Sequence, residues 1–378
     1  MRPGVVWMWV LLASVLMVPG AWAQRPPETH PSRGLVMKNV AMNWDRSAMP
    51  EDIELWAPRT VLAYDGDDLT LGYGQLHVVC VSNSNPNRGS CPEAGIEEAS
   101  LGLREIVLSF VERRSQQRTD LRLRGGIERA LSGRACLGNF WQNGILAPWS
   151  TYSLKCALDE PAGTGIQLHL PRAELAQLVA GVWSAQLDLK ANTPSEQGVE
   201  YYSFKFDFTI TDYDAVSIYF PEFPQTTPNV DLNLRYDPLN QTVGGRKPLE
   251  MCLYDGLGSQ SEYLGVTVTD TSGRTPGPLG YSLWHDDGGS GDDQRLDYMI
   301  ELEHAGARRR MASGVEEQLR DIDTAQLRLV LLPGMTQPVF CVPTPLLLTT
   351  PRVPITEQRA GGYEGELKVQ LRLPTTRP

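Results

Sequence analysis

From Leu367 to Leu373 every second residue is a large aliphatic (Leu367, Val369, Leu371, Leu373), and between them stand Lys368, Gln370 and Arg372. Such alternation marks a half-buried β-strand, one face in a core and the other in water. The run ends almost at the last residue, Pro378. A strand this regular needs a neighbour on each edge, or its free edge must be defended by charge, proline or a bulge. What lies beside it decides what this chain can fold into.

Similar runs recur upstream: LHVVCVS (76–82), REIVLSFVE (104–112), TDLRLRG (119–125), GIQLHLP (165–171), VWSAQLDLKA (182–191) and YYSFKFDFTIT (201–211). The last puts Tyr202, Phe204, Phe206, Phe208 and Ile210 on one face. Between them, clusters such as SNSNPNRGSCP read as loops. RPPETHPSRG (25–34) reads as an irregular lead, and PRAELAQLV (171–179) predicts a helix of two turns at most. A second series comprises AVSIYFPEF (215–223), VDLNLRY (230–236), LEMCLYD (249–255), YLGVTVTD (263–270), RLDYMIELEH (295–304), AQLRLVLLP (325–333) and VFCVP (339–343). HDDGGSGDDQRLD (285–297) and ARRRM (307–311) read as exposed hairpin ends.

Many short strands and few helices predict an all-β protein built of β-sandwiches. With domains usually near about 100–200 residues, 378 residues predict two. The junction near Asp212 to Asp214 has no long flexible linker, so the expectation is a stiff rod with domains at 24–212 and 213–378. Ahead of them, Arg2, an apolar stretch from Val5 to Val18 and Ala21-Trp22-Ala23 make residues 1–23 a secretory signal peptide. Its apolar core is short against the about 20 residues of a membrane span.

Six cysteines in an exported chain suggest disulfides. The spacing favours Cys80 with Cys91, Cys136 with Cys156, and Cys252 with Cys341. None forms a CxxC, against a zinc ribbon or thioredoxin-type centre. A net charge of −11 argues against nucleic acid, whose phosphates need a basic face. Five scattered histidines come without HExxH or GxSxG, and neither a P-loop nor a GxGxxG after a strand is present. Asp286, Asp287, Asp292 and Asp293 could chelate calcium, but Gly288 and Ser290 stand where ligands should, which favours a solvated turn. In ERRSQQRTDLRLRG (112–125), Arg118, Asp120, Arg122 and Arg124 share one face of an extended chain. With Arg113 these arginines are candidates for gripping an anionic glycan, against the plainer reading of a solvated strand face. Trp141, Trp149 and Tyr152 could stack on sugars, but core or loop packing is the plainer reading.

VCVSNSNPNRGSCP, VLSFVERRS, LRLRG, LHLPRAELAQLVAGVWSAQLDLK, VSIYFPEF, VDLNLR, EMCLYDG and the terminal GGYEGELKVQLRL occur in this order from about residue 76 to the end. This ordered set resembles the tip adhesins of class 5 fimbriae, the CfaE/CblD family of the alternate chaperone-usher pathway. The resemblance implies two immunoglobulin-like β-sandwiches in tandem, an adhesin domain and then a pilin domain that lacks its final strand. That strand is supplied first by a periplasmic chaperone, working with an outer-membrane usher, and then by the next pilin in the fibre; a host glycan or glycoprotein is the implied receptor, and no cofactor is implied. Val216, Ile218, Leu367, Val369, Leu371 and Leu373 are then the walls of the donor-strand groove. The family's receptor arginines find no counterpart: Gln75 and the arginine-free KANTPSEQG (190–198) stand at the matching places.

Two other classes are compatible with exported sandwiches. A carbohydrate-active enzyme would need paired carboxylates across a cleft, at about 5–9 Å. A eukaryotic immunoglobulin-like ectodomain has only the Asn240-Gln241-Thr242 sequon to support it and no Cys-Trp-Cys core.

Overall fold

The computed structural model describes residues 25–134, 138–142, 144–223, 225 and 227–374. The expected signal segment and Cys136 lie outside them, and with Cys136 the expected bond to Cys156. Eight strands of the first half, β1 (Leu35–Asp45), β2 (Ile53–Tyr64), β3 (His77–Cys80), β4 (Arg104–Glu112), β5 (Arg118–Leu131), β6 (Pro161–Leu170), β7 (Gly181–Asn192) and β8 (Glu200–Thr211), form one sheet. Its order is β1-β8-β7-β4-β5-β6-β2, with β3 pairing the far end of β7 beyond β4. β1 runs parallel to β8, and every other ladder is antiparallel.

The sheet rolls over on itself because β8 carries an unbroken aromatic row. Tyr202, Phe204, Phe206, Phe208 and Ile210 are buried, while Tyr201, Lys205, Asp207 and Thr209 face water. Trp56 of β2, at the opposite end of the sheet order, meets Tyr202 and Phe204 edge-on at 4.9 Å. Phe110 of β4 stacks on Phe208 at 5.5 Å and tilts against Phe206. Truncating a core aromatic costs about 3–5 kcal/mol. Phe206→Ala is therefore expected to lower the stability of the first domain by that amount and leave the second domain's transition in place, as two-probe urea melts would show.

β1 and β2 occupy a stretch where the sequence pattern predicts no strand. β2 slips register at Glu54/Trp56, at Trp56/Thr60 and at Val61/Ala63, with Pro58 and a left-handed Arg59 (φ 62°) between. The first and third slips each insert one residue and move side chains to the other face, and the middle one inserts two, so period two is lost. PRAELAQLV forms a single α-turn, α1 (Arg172–Leu175).

Among the described residues the second half has fourteen strands: β9 (Ser217–Tyr219), β10 (Leu234–Asp237), β11 (Thr242–Leu249), β12 (Cys252–Tyr254), β13 (Tyr263–Asp270), β14 (Tyr281–His285), β15 (Arg295–His304), β16 (Ala307–Met311), β17 (Glu316–Arg320), β18 (Arg328–Val330), β19 (Val339–Pro343), β20 (Leu346–Pro354), β21 (Tyr363–Glu364) and β22 (Leu367–Arg372). One layer is β10-β11-β20-β15-β14-β21, with β16 on β15. The facing layer is in two pieces, β18-β19-β12-β9 and β17-β13-β22. ARRRM, expected as a hairpin end, is the edge strand β16 itself, bonded to β15 from His304–Ala307 to Ile300–Met311. Leu253, Val266, Val268, Tyr281, Ile300 and Leu302 fill the core between the layers. Cys252 and Cys341 join β12 to β19 across 89 residues, and Cys80 and Cys91 close a loop after β3.

The halves meet without a linker. A single 3-10 turn, Tyr213–Ala215, connects them. Asp212 N–H donates to Gly256 O at 2.8 Å, Arg113 donates to the Gln260 side chain, and Arg114 donates to the carbonyls of Ile322 and Ala325. Gly258 lies so close to the first domain that a Cβ there would stand 2.8 Å from Gly181 Cα. Asp45 pins the connector: burial works against its charge, but Ser47 N–H and hydroxyl, the Thr211 hydroxyl and Tyr213 N–H donate to it and hold its pKa down to about 2. A depressed carboxylate stabilises the fold above its ordinary value, near 3.9, and that contribution is lost as pH falls toward 2. With solvent screening of this part-exposed group allowed for, acidification from pH 5 to 2 is expected to cost about 1 kcal/mol at this connector, and Asp45→Asn to lower stability at pH 7 by a similar amount in calorimetry.

Candidate functional site

The C-terminal strand has one neighbour. β22 pairs with β13 from Leu367–Asp270 to Arg372–Gly265, and among the described residues no strand bonds its other edge. β9 is in the same position on the other piece of the layer: it pairs with β12 through Ile218–Leu253 and Tyr219–Cys252, and among the described residues its outer edge is likewise unpaired. β9 and β22 come within 8 Å of each other at Cα, yet no ladder joins them. One strand between them would turn the two pieces into one continuous sheet, β18-β19-β12-β9, the newcomer, then β22-β13-β17.

The side chains at this gap show that the core is short of cover. In β15, flanked on both sides, Leu296, Tyr298, Ile300 and Leu302 are buried. In β22, Leu367, Val369 and Leu371 keep the same alternation but are only half-buried, although their partners Val266 and Val268 on β13 are fully enclosed. Val216, Ile218, Phe220 and Leu373 are half-buried too, and of these Ile218, Phe220 and Leu373 pack with the β22 row against the enclosed core. Pro221, which has no N–H to donate, follows the β9 strand closely. On its solvent face β22 is held from the β13 side: Arg372 forms a two-pronged contact with Glu316 of β17 and lies over the Tyr263 ring. Of the residues expected at such a groove, Ile218, Leu367, Val369, Leu371 and Leu373 lie half-buried against one core together with Phe220; Val216 is half-buried as well but is not packed against that core. Phe220 continues the period-two row of VSIYF, so its place was readable from the sequence.

The arginines do not form one patch. Arg118, Arg122 and Arg124 are exposed on one face of β5, and Leu121 and Leu123 are buried behind them. Glu105 lies 3.5 Å from Arg122 and 3.7 Å from Arg124, Glu174 lies 3.9 Å from Arg122, and Arg118 donates to Asn87. Arg113 is in the turn beyond, at the contact with the second domain, and is not part of this face. Trp141 and Trp149 are buried and Tyr152 packs against the core, so these aromatics present no open stacking platform. Around the 285–297 loop, Asp287 accepts from Gln294 and contacts Arg359, and Asp292 contacts Arg295.

These features define a class: a two-domain, all-β protein whose second sandwich has an open seam in one layer. The family model for the first domain of CfaE, a CFA/I fimbrial protein, matches residues 19–213, and the model for its second domain matches residues 216–375. The chain belongs to this family. It is 26% identical over 307 residues to the CFA/I fimbrial protein CfaE of Escherichia coli, covering 79% of this chain and 80% of that one. The crystal structure of CfaE, the adhesive component of the CFA/I fimbria of enterotoxigenic Escherichia coli, superposes with a TM-score of 0.66 at 24% identity, over 90% of this chain and 94% of that one. A chaperone–tip adhesin complex of CFA/I fimbriae biogenesis gives 0.65 at 23% identity, over 93% and 99%.

Proposed function

We propose that this chain is a non-enzymatic fimbrial tip adhesin and an initiator of pilus assembly. The observation that carries the reading is the seam between β9 and β22, where two unpaired edges and a half-buried apolar row await one more strand. β-augmentation fits such a seam: main-chain hydrogen bonds supply affinity, and alternate side chains fill the core. In the periplasm the strand comes from a chaperone, at the usher from the N-terminal extension of a major pilin. Neighbouring strands sit about 4.8 Å apart, so a guest between β9 and β22 needs about 9.6 Å.

The first domain takes the receptor, a host glycan or glycoprotein. Its receptor face includes Arg118, Arg122 and Arg124, where an anionic sugar competes with Glu105 for the guanidinium groups. A peptide copying the pilin extension is expected to bind the chain one to one in native mass spectrometry. A peptide of the same composition with its apolar alternation scrambled is expected not to bind; equal binding of both would sink the proposal. On a glycan array, Arg122→Ala with Arg124→Ala is expected to reduce binding at least tenfold.

A further inference from the structure

The end of the first domain that faces away from the second carries a group of potential ligands that the adhesin reading does not use. β1 and β8 run parallel from this end to the connector, and the lead 25–34 crosses it. Thr29 and Tyr64 exchange both backbone hydrogen bonds, each 2.9 Å. That pairing sets Glu28 opposite Asp65, and His30, two residues beyond Glu28, falls on the same side. His30 Nε2 is 3.1 Å from Glu28 Oε1 and 3.9 Å from Asp65 Oδ2. One ligand atom from each residue lies within 4.8 Å of the other two.

Three further contacts prepare these atoms. Asp65 Oδ1 accepts from the N–H groups of Asp67 and Asp68, which fixes the carboxylate and leaves Oδ2 facing His30. His30 Nδ1 is 3.1 Å from the Tyr73 hydroxyl. When Nδ1–H donates there, Nε2 keeps its lone pair, the tautomer a ligand needs. Arg25 bonds to Asp67 and the Tyr64 hydroxyl rather than to Glu28, His30 or Asp65. Two like charges opposite each other across a strand pair are unfavourable, and a cation between them reverses the sign.

We propose that Glu28, His30 and Asp65 bind one divalent transition-metal ion. One imidazole nitrogen and two carboxylate oxygens suit zinc and its neighbours better than calcium, which takes six to eight oxygens. A fourth position stays open to water, since Glu28 and His30 are exposed. The ion joins the irregular lead to the loop after β2, clamping the chain ahead of β1 onto the distal end. Tyr73 is a positioning residue for His30.

Zinc titration of the full chain, without a histidine tag, is expected to reveal one site by calorimetry. His30→Ala and Glu28→Gln should each weaken it at least tenfold, Tyr73→Phe about tenfold, and His169→Ala should leave it unchanged. Glu28 and His30 sit at the surface, so circular dichroism should show the wild-type fold in their variants. Zinc should also slow hydrogen exchange of the amides in 26–34 in the wild type and not in His30→Ala. No saturable zinc binding, or binding that His30→Ala leaves at full strength, overturns the site.

Discussion

A pilin N-terminal extension fused after Pro378 through a short turn is expected to raise the second domain's melting temperature by about 6–20 °C and leave the first domain's transition where it was. The returning segment would form a hairpin with β22 and lie against β9. It would cover Val216, Ile218, Leu367, Val369 and Leu371, all half-buried now. Burying a large aliphatic side chain contributes about 1.5–3 kcal/mol, so four or five insertions give on the order of 10 kcal/mol gross. Ordering the strand removes part of this, leaving about 3–5 kcal/mol. For a domain of this size each kcal/mol moves the midpoint by about 2–4 °C. Shifting the donor's alternation by one residue turns its apolar row outward and should cancel the gain. Differential scanning calorimetry reads all three proteins. If the unfused chain already melts as high as the fused one, the layer is complete as it stands and the seam takes no partner.

The strands with the clearest rows were the most legible in sequence. YYSFKFDFTIT, YLGVTVTD, RLDYMIELEH and the terminal strand each keep one register from end to end, and the structure shows β8, β13, β15 and β22 at those places. The illegible strands fail for physical reasons of their own. β2 carries Pro58 and three register slips, β11 carries a glycine pair and Pro248 with a slip between Val243 and Gly245, and β16 is an edge with Arg308, Arg309 and Arg310 all exposed. An edge strand exposed on both faces has no buried row, so no periodicity could reveal it. The alternation of β22 was legible for a related reason. Its apolar row keeps period two because it lies against a core, and only its half-burial required the structure. The distal group Glu28, His30 and Asp65 had no signal at all, since its residues come from a lead without pattern and from a loop far along the chain. The backbone pairing of Thr29 with Tyr64 is what assembles it.

Leu371→Glu is expected to abolish donor-strand binding while leaving the free chain close to wild type. In the free chain the position is half-buried at an edge, so a carboxylate there can tilt into water. With a strand inserted, the same position faces Val266 and the core under a full layer, where an unpaired charge costs several kcal/mol on top of the lost aliphatic contact. The penalty therefore falls on the complemented state. A loss of at least about 4 kcal/mol corresponds to about a thousandfold in affinity. Peptide titration should show this loss in Leu371→Glu and in Val369→Asp. Gln370→Glu, on the exposed face of the same strand, should bind as wild type. The first domain's unfolding transition should be unmoved in all three, because its core shares no residue with the β22 row. In cells, the two core-face variants should yield fibres without this protein at their ends. A normal yield of tip-bearing fibres from Leu371→Glu would mean that the apolar row of β22 is not the surface on which assembly begins.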